Sequence, residues 1–164
     1  MDIEKFLYAF DLEQNGKSEE AEAIIRKLSA ELNPFALFEL ALRYRPDCSY
    51  SNGEWSPEKN MEIATSYANQ AMSVLQNEVE QGNAEAMRYL GAVYCGHYWP
   101  EFKNFELVEP MWLKAFKHGC YLAANELFTL HQSTDPEKAA LWYRELKKHN
   151  CQIVYHPGYE DPET

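Results

Sequence analysis

Apolar residues recur at spacings of three and four along most of the chain, the period of amphipathic helices packed by one face. The pattern also repeats over a longer distance. Asn33 is followed by Ala36, Leu40, Ala41 and Tyr44, and the same spacing returns with Asn83, Ala86, Leu90, Gly91 and Tyr94, an offset of fifty residues. A third copy starts at Cys120 with Ala123, Leu127, Phe128 and His131, its last two positions changed in type. Each copy reads as the first helix of a pair, with small residues that let a neighbour approach closely.

A second amphipathic helix is predicted after each first one. The clearest starts at Asp135-Pro136-Glu137, with a cap residue, a first-turn proline and an acid in order, and carries Ala139, Trp142, Tyr143 and Leu146 on one face. Its predecessor carries Met111, Trp112, Ala115 and Phe116 and ends at His118-Gly119, as the later helix ends at His149-Asn150. Pro110 removes a donor and crowds the turn before it, so the regular part is expected to start there, with 104–109 as a separate short turn. Ser56-Pro57-Glu58 is expected to open the earliest of these helices, which holds Ala64, Tyr67, Ala68 and Ala71 and runs to Gly82, about two turns longer than its relatives. The first thirty-two residues read as a degenerate pair capping the array: a helix from Ile3 to Leu12 with Phe6, Leu7 and Phe10 inward, a turn at Asn15-Gly16, and a helix capped by Ser18 with Ala21, Ile24, Ile25 and Leu28 inward.

The expected organisation is a single repeat domain over 1–164. It comprises the capping pair 1–32, repeats at 33–82, 83–119 and 120–150, and an irregular tail at 151–164 that contains two prolines and a glycine without period.

The run Gly82-Asn83-Ala84-Glu85-Ala86-Met87, then Leu90-Gly91 and Tyr94, resembles the first-helix signature of the Sel-one-like repeats, relatives of the tetratricopeptide repeat. Lys138-Ala139 followed by Trp142-Tyr143 resembles their second helix. The resemblance covers roughly residues 33–150. It implies an all-α, right-handed α-α superhelix (solenoid) of about four helix pairs, which binds other proteins along a concave face lined by first helices. No catalytic residues come with it. The family's glycine-rich interhelical loop is replaced here by Cys95-Gly96-His97-Tyr98-Trp99-Pro100 and by the long segment from Arg45 to Trp55.

Composition narrows the partners. A chain that is 46% hydrophobic and 25% charged is an ordinary globular protein. Its net charge of −11 repels phosphate backbones and anionic headgroups, so a protein with a basic patch is the expected partner, with no nucleic acid and no membrane. Residues 1–85 hold sixteen acids and seven bases, while 86–159 hold seven and eight, so a cationic partner is steered to the N-terminal half or to the acidic tail. Met1-Asp2-Ile3-Glu4-Lys5 does not read as a leader, and no apolar run reaches membrane-spanning length, so a cytoplasmic location is expected. There Cys48, Cys95, Cys120 and Cys151 are free thiols.

Three His/Cys pairs raise zinc as a possibility: Cys95 with His97, His118 with Cys120, and His149 with Cys151. The last two occupy the same repeat position, thirty-one residues apart, where helix packing separates successive copies by roughly 10 Å, too far to share one tetrahedral ion. Histidines at helix ends and cysteines packed as small apolar residues explain them more simply. No metal or cofactor is expected. No Gly-x-Ser-x-Gly turn, phosphate loop or His-Glu-x-x-His helix is present, and an enzyme is not expected.

The candidate contact residues fall in two groups. Tyr50, Trp55, Tyr98, Trp99 and Phe102 are loop aromatics that repeat packing does not require, and they either meet a partner or fold back over the helices. Phe35, Glu39, Arg43, Glu85, Arg88, Tyr89 and Glu126 lie off the core positions of first helices; Glu39 and Arg43 are also an i,i+4 pair, with an intrahelical role as the alternative. The leading expectation is a monomeric or dimeric scaffold that binds one protein partner stoichiometrically, as an immunity or antitoxin-type inhibitor of a toxin or effector does. An adaptor or chaperone holding peptides in the groove is the nearer alternative, and a metal-dependent enzyme the remote one.

Overall fold

The computed structural model describes residues 2–48, 55 and 57–151, and Tyr50, Ser56 and the tail beyond Cys151 lie outside them. The described residues form eight α-helices and a short 3-10 turn at Pro100–Phe102, with no strand among them. The chain divides into two compact units, Met1–Asn77 and Glu78–Thr164.

Unit one contains α1 (Ile3–Gln14), α2 (Ser18–Ala30), α3 (Pro34–Tyr44) and most of α4 (Met61–Glu80). α1 packs on α2 and α2 on α3, around a core of Ala9, Ile25, Leu28, Ala36, Leu40 and Trp55. Unit two contains α5 (Ala84–Cys95), α6 (Phe105–Lys117), α7 (Ala123–His131) and α8 (Pro136–Lys148). The pairs α5 with α6 and α7 with α8 pack most extensively, and Trp112, Leu127, Phe128, Trp142, Tyr143 and Leu146 lie between helices in its larger core.

Two local devices recur along the chain. Second helices end in a left-handed residue whose successor donates back to the carbonyl five residues earlier: Asn33 to Leu28, Asn83 to Glu78, Cys120 to Ala115 and Cys151 to Leu146. The left-handed residues are Leu32, Gly82, Gly119 and Asn150. Asn33 and Asn83 then cap the next helix, each side-chain oxygen accepting two amides, from Phe35 and Ala36 and from Glu85 and Ala86. The other device closes the loop within a pair: the amide of Asn60 donates to the Tyr44 carbonyl at 2.8 Å, Asn104 to Tyr94 at 2.8 Å and Asp135 to His131 at 2.9 Å.

Four sequence expectations need correction. Ser18 does not cap α2: it is the first residue of the helix, Lys17 holds the cap position, and no side chain bonds there. α4 starts at Met61, because Asn60 is the residue that caps it, accepting from Glu62 and Ile63. α6 starts at Phe105 and runs through Pro110. The carbonyl that loses its donor there belongs to Glu106, an exposed residue in the first turn of the helix. Leu7, expected inward, is 56% exposed, and Tyr8 beside it 54%. Phe6, Ala9, Phe10 and Leu12 already fill the inward arc, and a helix turning about 100° per residue points the two between them outward.

Gly91 marks the tightest approach in unit two. A Cβ there would stand 2.3 Å from Trp112 Nε1, so only glycine lets α6 lie this close to α5. The same indole nitrogen donates to the Arg88 carbonyl at 3.0 Å, which fixes the ring and one turn of α5 together.

Candidate functional site

Five of the twelve candidate residues gather in unit two, where α5, α7 and the loop after α5 meet. Arg88 projects from α5 and reaches Glu126 on α7, Nη1 to Oε1 at 2.8 Å. Its guanidinium lies over the Tyr89 ring, 4.4 Å from the centroid. Glu85 stands one turn earlier on α5, and its charge and that of Arg88 both act on Tyr89. Tyr98, from the loop, comes close enough to feel the charges of Arg88 and Glu126 and the phenol of Tyr89.

The cluster is dry at its base and open at its rim. Tyr89 is buried, while Glu85, Arg88, Tyr98 and Glu126 are partly exposed. Burial pushes the Tyr98 phenol up to about 12 and raises Tyr89 above the ordinary tyrosine range, so both hydroxyls keep their protons and can donate. Burial likewise raises the thiols of Cys120 and Cys95, which disfavours their thiolate forms. Arg88 Nε is buried without a hydrogen bond among the described residues, an unmet donor in a residue otherwise well held. Chemically, the site offers a pre-placed cation, two carboxylates and two phenols in a fixed order.

Trp99 and Phe102 come from the same loop. Trp99 is 2% exposed and Phe102 half-buried, so the loop tryptophan lies against its own unit.

Phe35, Glu39, Arg43 and Trp55 belong to unit one, and all four are buried. Arg43 Nε donates to Glu39 at 2.6 Å, Nη1 to Glu13 at 3.0 Å and to the Trp55 carbonyl at 2.9 Å, and Nη2 to Glu13 at 2.5 Å. Its guanidinium also lies over the Trp55 indole, 4.1 Å from the centroid. This network ties α1, α3 and the end of the long loop together from beneath the surface. Glu13 was the member that sequence reasoning missed: it stands thirty residues from Arg43, and only the packing of α1 brings it near.

Two of the histidines from the His/Cys pairs make other contacts. His149 stacks on Tyr121 with ring centroids 3.6 Å apart and lies 3.6 Å from Glu145, and His118 Nδ1 lies 2.9 Å from the Lys114 carbonyl. Among the described residues no three His, Cys, Asp or Glu side chains converge as a metal site, and no described helix is long and apolar enough to cross a membrane.

No protein-family model, curated protein or solved structure matches this chain.

Proposed function

We propose that the chain is a partner-binding repeat protein of Sel-one-like type, a right-handed solenoid of four helix pairs that holds one cationic protein and blocks it stoichiometrically, as an immunity protein does. The observation that carries the reading is the Arg88 cluster. Arg and Tyr are the residue types that dominate interface energetics, and here they are fixed before any partner arrives, so little side-chain entropy is lost on binding. The recurring caps at Asn33 and Asn83 and the fixed loop closures support the repeat assignment. The overall charge of −11 supports a basic partner.

The test is affinity capture of the tagged chain from its native lysate at low and high salt, with mass spectrometry of what is retained. One basic protein, released as salt rises, supports the reading. Several proteins sharing a peptide motif would favour the adaptor, and no specific partner would refute both.

A further inference from the structure

We propose that the outward face of α1, formed by Glu4, Leu7, Tyr8 and Asp11, is a docking face for a cationic amphipathic helix of a partner protein. The four residues stand at i, i+3, i+4 and i+7, the spacing that places side chains on one side of a helix. At the centre are the two apolar side chains, both more than half exposed although unit one has its own closed core. One turn to either side is an exposed carboxylate, and neither Glu4 nor Asp11 makes an ion pair among the described residues.

Charge identifies the occupant. Residues 1–77 carry thirteen acidic side chains against seven basic ones, so the field over this face is negative and the flanking carboxylates reinforce it. A second copy of the chain would bring the same net charge and be repelled. A helix presenting leucine-like side chains between lysines or arginines meets the apolar pair with its apolar stripe and the carboxylates with its rim, the arrangement of helix-on-helix recognition. The proposal rests on the reading that the partner is cationic, and it places a contact on a second surface, distinct in residues from the Arg88 cluster.

The experiment uses the full chain and a short fluorescein-labelled peptide of leucine and lysine at helical spacing, read by fluorescence anisotropy at low salt. Binding at roughly micromolar strength is expected. Leu7→Ser with Tyr8→Ser should weaken it about tenfold or more, and Glu4→Lys with Asp11→Lys at least as much. Glu19→Lys with Glu20→Lys makes the same change of net charge on α2 and should leave binding within about twofold. No binding, unchanged binding in the serine variant, or equal loss in both charge reversals would overturn the proposal. Arg88→Ala should leave peptide binding intact; if it abolishes binding while the α1 variants do not, the α1 face is refuted and the Arg88 reading survives. Circular dichroism of each variant confirms that the exposed substitutions leave the helices formed.

Discussion

The amide of Asn104 donates to the carbonyl of Tyr94 at 2.8 Å, and the equivalent bond joins Asn60 to Tyr44 and Asp135 to His131. The partners are ten, sixteen and four residues apart, so three loops of very different length are closed by one contact. The closure lets each first helix hand the chain to the cap of its second helix at the same point, whatever the loop between them contains. Loop length costs little once the ends are fixed, because closure entropy grows only with the logarithm of length. The extra residues are therefore free to carry side chains such as Tyr98 to a site.

Gly91→Ala tests the close approach of α5 and α6. The new methyl would lie 2.3 Å from Trp112 Nε1 and 2.4 Å from Cδ1, in a ring already held by its bond to the Arg88 carbonyl. Overpacking of this kind costs about 1–3 kcal/mol. A thermal melt followed by circular dichroism should show a fall of several degrees.

Much of this was legible in the sequence. The repeat register placed Asn33 and Asn83 at the head of apolar sets of identical spacing, and the structure shows both as helix caps. The ends of second helices were readable from Gly82, Gly119 and Asn150, whereas Leu32 adopts the same left-handed conformation with φ 58°, which a leucine does not announce. The candidate site was legible only in part. Glu85, Arg88, Tyr89 and Glu126 sit where repeat packing leaves them over, and spacing singled them out, whereas Tyr98 was singled out as a loop aromatic. Their enclosure by the loop was not visible, nor was the burial of Trp55 and Trp99, since a loop's path depends on contacts that no local pattern encodes. Arg43 shows the same limit: the i,i+4 partner Glu39 could be read from the chain, but Glu13 could not.

Arg43→Ala tests the network of unit one. It leaves the carboxylates of Glu13 and Glu39, each less than a tenth exposed, without the guanidinium between them. Removing one side of a buried charge network costs about 3–5 kcal/mol. The expected result is a large drop in urea midpoint. Arg26→Ala, whose pair with Glu22 is exposed, should change stability by less than about 1 kcal/mol.

Tyr98 gives the fold an alkaline dependence. Burial raises its phenol to about 12 in the folded chain, while an unfolded tyrosine ionises near 10. Between those values the unfolded state releases the proton and the folded state keeps it. Stability present below about pH 10 is therefore lost progressively as pH rises toward 12, by an amount on the order of 2 kcal/mol. Tyr98→Phe should remove this component, so urea titrations of the two proteins at rising alkaline pH should differ in slope, with the steeper decline in the wild type. Parallel curves would show that Tyr98 ionises freely.

On the proposed reading, the Arg88 cluster is where the partner is held. The most direct measurement is the dissociation constant of the captured basic protein for the wild type and for Arg88→Ala, with melting temperatures recorded alongside. The account predicts a loss of about thirtyfold or more, the signature of an interface hot spot, in a variant whose helices remain folded. An unchanged dissociation constant in a folded Arg88→Ala variant would contradict it.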